Sequence, residues 1–137
     1  MILKLDHVAI AVADLDQGVL RWASDLGLID EGREDVESQK TTTAFLAVGD
    51  THVELVHPLG GEGPIADSLA KRGPGIHHLC FRTDDLDAEV ERLRARGWVF
   101  TTEAPRPGAH GSRVIFAHPK STGGVLIELV EHAEGVT

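Results

Sequence analysis

Apolar and polar positions along this chain form short runs that come in the same order twice. Residues 3–12, rich in Leu, Val, Ile and Ala, predict a strand. Asp14 then predicts a helix N-cap, with Gln17 three residues on as in a capping box. Val19, Trp22, Ala23 and Leu26 give that helix an apolar stripe, and Gly27 stops it. Strands are expected at about 28–36, 41–48 and 51–57, with Gly49-Asp50 as the turn between the last two. The stretch Gly60-Gly61-Glu62-Gly63-Pro64 opens a loop, a short helix covers 65–72, and Arg72-Gly73-Pro74-Gly75 marks a junction.

The order then repeats. A strand at 76–82 precedes a helix capped by Asp84 or Asp85, with Leu86, Val90 and Leu93 as its stripe and Gly97 as its stop. Glu89–Arg92 and Glu91–Arg94 are i,i+3 pairs on its exposed side. Strands follow near 98–103, 112–118 and 124–131, interrupted by a loop over 106–111. Each half reads β-α-β-β-β. Shifted by 71, residues 7–22 and 78–93 share His7/His78, Asp14/Asp85, Leu15/Leu86, Asp16/Asp87, Val19/Val90 and Arg21/Arg92. The last strands match at a shift of 74, with Glu54 on Glu128. An internal duplication explains this better than chance. The expected organisation is one domain over 1–137, with module one at 1–60 and module two at 75–133.

Side chains alternate across a strand, so His7 shares a face with Leu5, Ala9 and Ala11, and His78 shares one with Ile76 and Cys80. Each half thus offers a histidine from its first strand and a glutamate from its last. A lone glutamate in a strand such as Val125–Val130 costs several kcal/mol if buried, unless it is paired, bound to a metal or neutralised. Taken singly, each of these four residues reads as ordinary core or surface. Two His and two Glu at matching places change that reading. They predict a metal site of His7, Glu54, His78 and Glu128, suited to Co²⁺, Ni²⁺, Zn²⁺ or Mn²⁺ with water in the open positions. His77 points away from His78 and is read as structural or as a support to the metal ligands. His57, His110, His118 and His132 have no repeat partner and are read as ordinary structural histidines of core or surface.

Composition and charge narrow the picture further. With 137 residues, 42% of them hydrophobic and 26% charged, the chain can bury a core without disulfides. Its single cysteine, Cys80, lies in an apolar run and reads as a core thiol, not a nucleophile. The formal net charge of −9 argues against nucleic acid as partner. No apolar run approaches the roughly 20 residues of a membrane span. The opening residues show no signal-peptide pattern, so a cytoplasmic location is expected.

Particular segments carry a family likeness. They are Leu5-Asp6-His7-Val8-Ala9-Ile10-Ala11-Val12, Gly75-Ile76-His77-His78-Leu79, and Arg113–Lys120 running into Gly123–Val130. Pro64-Ile65-Ala66 and Glu103–Gly108 add to them. In these the chain resembles the vicinal-oxygen-chelate (glyoxalase-like) superfamily, and within it the methylmalonyl-CoA epimerases. The resemblance implies an α+β fold of two tandem βαβββ modules forming a cupped mixed sheet around a metal cleft. It also implies one divalent ion per chain, cobalt first, then nickel, zinc, manganese or magnesium, and a homodimer acting on an acyl-CoA. Carried over by position, the ligands fall on His7, Glu54, His78 and Glu128, although many epimerases have Gln at the place of Glu54.

The activity implied is interconversion of (2R)- and (2S)-methylmalonyl-CoA by 1,1-proton transfer through a metal-stabilised enolate. Glu128 is one acid/base by resemblance. Some relatives carry a second, a glutamate, where this chain has Thr43, and threonine cannot replace it. Glu54, the repeat mate of Glu128, is expected to serve the other face. The loop 106–113 and the Lys120-Ser121 turn are expected near the cleft rim, with Arg113, Lys120 and Ser121 as phosphate contacts. Two alternatives stay open: glyoxalase I, which also uses two glutamates, and a non-enzymatic small-molecule-binding module of the same fold.

Overall fold

The structure, a computed structural model, describes residues 1–134, which fall into two compact units. One is His7–His77; the other joins residues 1–6 to residue 78 and beyond. Strand β1 (Ile2–Ala11) contributes to both, passing from one to the other between Asp6 and His7. The fold is mixed α+β, as the two-fold pattern of runs predicts.

In the unit His7–His77, helix α1 (Leu15–Val19) continues as a π-helical turn over Leu20–Asp25. Strands β2 (Ile29–Val36), β3 (Thr41–Val48) and β4 (Thr51–Pro58) follow, then helix α2 (Pro64–Arg72). The sheet order is β2-β3-β4-β1, antiparallel except for the parallel pair β1/β4. Asp14 caps α1 as expected, its side chain accepting from the Gln17 N–H at 3.0 Å. One sheet face packs Ala44, Leu46 and Leu55 against Val12 and Leu15, with Val19, Trp22 and Ala23 covering them. Leu26 departs from its expected stripe and is 65% exposed. The wider π turn, with the Leu26 N–H on the Arg21 carbonyl at 3.0 Å, carries it off that face. On the other face Ala9, Ala11 and Val56 meet Ile65 and Leu69 of α2.

The second unit has strand β5 (Gly75–Thr83, from His78 on), helix α3 (Leu86–Ala95) and strands β6 (Arg106–Pro107), β7 (Arg113–Ala117) and β8 (Ile127–Glu131). The order is β5-β8-β7-β6, again with one parallel pair, β5/β8. Asp85, not Asp84, is the α3 cap, accepting from the Ala88 N–H at 3.1 Å. Leu86, Val90 and Leu93 pack on Ile115 and Leu129. Cys80, Val114 and Val130 form a smaller cluster on the opposite face.

One strand differs from expectation. The stretch 98–103 makes a single bridge, Phe100 to Ala117. The Trp98 N–H closes back on the Leu93 carbonyl and the Val99 N–H goes to Ser121 Oγ, so few donors remain for a ladder. Trp98 and Phe100 turn into the α3 core. The two residues of β6 take the edge beside β7, inside what the sequence marks as loop. Gly108 lets that loop close tightly: a Cβ there would lie 2.6 Å from Ser112 Oγ and 2.7 Å from Val114 Cγ1.

Candidate active site

The two parallel pairs have equivalent registers. Ala9 stands opposite Glu54 on β1/β4, and Cys80 stands opposite Glu128 on β5/β8. In each, the histidine lies two residues before that pairing point, on the same face as the glutamate. On its other side each glutamate faces a phenylalanine, Phe45 for Glu54 and Phe116 for Glu128. The repeat seen in the letters is therefore a repeat of hydrogen-bonding register.

That register brings each histidine to its glutamate. His7 Nδ1 lies 2.9 Å from Glu54 Oε2, with side chains 7% and 15% exposed. His78 Nε2 lies 3.1 Å from Glu128 Oε1, with side chains 7% and 9% exposed. The His78 ring also meets Phe116 edge-on, with centroids 5.0 Å apart. Each unit thus holds one imidazole nitrogen and one carboxylate oxygen together, shielded from water. A nitrogen–oxygen donor set of this kind fits a borderline divalent cation. These residues can hold such an ion.

The other predicted residues are placed as follows. Thr43 is 4% exposed and lies in register with Val56, on the Glu54 face. Arg113 faces α3: its guanidinium makes two bonds to Asp87, at 2.9 and 3.2 Å, and lies 3.8 Å from Glu131. Arg113 holds the Asp87 carboxyl below its ordinary range, and Asp87 raises Arg113 in return. Lys120 is exposed on a 3₁₀ turn, Pro119–Ser121, while Ser121 Oγ accepts from the Val99 N–H at 2.9 Å. His57 binds the Val12 carbonyl and His118 accepts from the Lys120 N–H, as structural histidines. His77 is buried.

His132, also read as structural, belongs to a polar cluster with Asp6 and Arg82 that the sequence reading missed. Its Nε2 lies 2.9 Å from Asp6 Oδ1, and Arg82 Nε lies 3.3 Å from the same oxygen. The available signal was a charged residue, Arg82, at the inward position two beyond Cys80.

The fold and paired sites define a class, and comparison with known proteins agrees. The chain belongs to the Glyoxalase/Bleomycin resistance protein/Dioxygenase superfamily, whose family model matches residues 6–116. It is 40% identical over 131 residues to the ethylmalonyl-CoA/methylmalonyl-CoA epimerase of Cereibacter sphaeroides, covering 94% of this chain and 98% of that one. The crystal structure of methylmalonyl-CoA epimerase from Mycobacterium tuberculosis is 46% identical and superposes with a TM-score of 0.92, over 96% of this chain and 89% of that one. A single-residue variant of the Streptomyces coelicolor methylmalonyl-CoA epimerase, in complex with 2-nitronate-propionyl-CoA, is 34% identical with a TM-score of 0.92, over 97% and 99% of the two chains.

Proposed function

We propose that this chain is an epimerase that interconverts (2R)- and (2S)-methylmalonyl-CoA. The observation that carries the reading is the pair of His–Glu contacts at register-equivalent places, in a chain related over nearly its whole length to such epimerases. His7, Glu54, His78 and Glu128 would hold one divalent ion, Co²⁺ first and Ni²⁺, Zn²⁺, Mn²⁺ or Mg²⁺ after it. When bound, the metal supplies positive charge where negative charge develops as the α-proton leaves.

Inversion needs a base on one face of the α-carbon and an acid on the other. Glu54 and Glu128 would take these roles, each loosening from the metal as it takes the proton. The carboxylate on one side removes the α-hydrogen, and the carboxylic acid on the other returns a proton to the opposite face. After one turnover the proton has changed sides, so the enzyme stands ready for the reverse reaction. Exchange with solvent resets it. Lys120, with Ser121 beside it, is the proposed contact for the CoA phosphates. Arg113 would join only by giving up Asp87. A homodimer goes with this reading.

The test is proton NMR of methylmalonyl-CoA in D₂O with the protein. The α-proton signal should vanish with Co²⁺ present and persist after chelation, and His78→Ala should abolish both exchange and Co²⁺ binding. A chelator-treated His78→Ala protein with full activity would overturn the metal reading. The two glutamates favour glyoxalase I as a second reading, and turnover of methylglyoxal plus glutathione instead of methylmalonyl-CoA would establish it.

A further inference from the structure

We propose that the partly buried cluster Asp6–Arg82–His132 is a positioning device for His7, an inference that rests on the metal reading above. Asp6 is 8% exposed, and its Oδ1 is shared by His132 Nε2 at 2.9 Å and Arg82 Nε at 3.3 Å. The side chains of Arg82 and His132 are 17% and 14% exposed, the Arg82 contact is an ion pair, and both Arg82 Nε and His132 Nδ1 are buried without a hydrogen-bond partner. By stability alone this arrangement is a poor bargain. A buried ion pair seldom outperforms well-packed apolar side chains of similar volume, and an unpartnered buried nitrogen adds to its cost.

What the cluster does supply is fixity at one particular residue. Arg82 comes from β5 and His132 follows β8, so two separate parts of the chain grip one side chain of β1. The gripped residue immediately precedes His7. Metal ligands need orientations held within about 10–20° by their supporting groups, and weakening such groups typically lowers metal affinity about 10- to 100-fold. Clamping Asp6 restricts the backbone torsions that lead into His7 and so limits where its imidazole can lie. Asp6, Arg82 and His132 act through His7 and take no part in proton transfer.

Cobalt(II) titration of the metal-free protein, followed in the visible spectrum, tests this. His132→Phe removes the donor to Asp6, and His132→Gln restores an N–H donor. The expected result is Co²⁺ binding about 10- to 100-fold weaker in His132→Phe and in Asp6→Asn. His132→Gln should recover most of the loss, and kcat should return towards wild type at saturating Co²⁺. If Asp6→Asn fails to fold, the two His132 variants decide. Should His132→Phe melt at a lower temperature yet bind Co²⁺ within two-fold of wild type, the cluster is structural only and the inference falls. A wild-type protein that binds no Co²⁺, Ni²⁺ or Zn²⁺ would instead overturn the metal reading beneath it.

Discussion

Glu54 and Glu128 are placed alike, each opposite a small residue of the parallel strand and a phenylalanine of the antiparallel one. Gln at either place keeps an oxygen for a metal and cannot accept a proton near neutral pH. Glu54→Gln and Glu128→Gln should therefore each retain bound metal and lose epimerisation by about 10²-fold or more. In D₂O each should still exchange the α-proton of the one epimer whose hydrogen faces the surviving carboxylate. Near wild-type epimerisation by Glu54→Gln would reduce Glu54 to a ligand. Away from the chemistry, Lys120→Ala should raise KM for the CoA thioester several-fold with little change in kcat. Arg113→Ala should affect KM less, because its guanidinium is already engaged by Asp87 and Glu131. Equal KM values for Lys120→Ala and wild type would make Lys120 an ordinary surface charge.

Elements with strong local signals lie where the sequence puts them. Asp14 and Asp85 cap their helices, and the α3 stripe of Leu86, Val90 and Leu93 is buried. What local pattern could not show was competition from distant partners. Ser121 takes the Val99 N–H and the Trp98 N–H turns back to Leu93, so a plausible strand shrinks to the single Phe100–Ala117 bridge. The π turn after α1 is invisible for a similar reason, since Leu26 fits a 3.6-residue stripe on paper. Helix α3 also carries Glu89, whose side chain is 6% exposed and bonded to Arg92 and the Met1 amino group. The Met1 ammonium, followed by Arg92, holds the Glu89 carboxyl below its ordinary range. A depressed carboxylate stabilises the fold above its unfolded-state pKa, and that contribution is lost as pH falls through the folded value. Glu89→Gln should lower Tm at pH 7 by about 2–8 °C, with the gap to wild type closing as the solution is acidified below the ordinary carboxylate range. A gap that stays constant with pH would show that Glu89 contributes shape and not charge.

At the scale of the whole chain, the duplication was the most legible feature, because shifts of 71 and 74 bring His7 onto His78 and Glu54 onto Glu128. The partnership of each histidine with its own glutamate depends on a parallel register between strands some 45 residues apart, which no local pattern specifies. Of the cluster of Asp6, Arg82 and His132 only Arg82 left a trace in the sequence, because its partners lie far off along the chain. One asymmetry between the halves has a practical use. The sole cysteine, Cys80, is 0% exposed among Val114 and Val130, and its register mate is Ala9. A thiol reagent in excess therefore has nothing to attack until that half of the protein opens, and the labelling rate becomes a stopwatch for opening. Native protein should label far more slowly than protein in concentrated urea, and saturating Co²⁺ should slow the reaction further by mass action. Labelling as fast in native protein as in urea would mean that the thiol is open to solvent in the folded state.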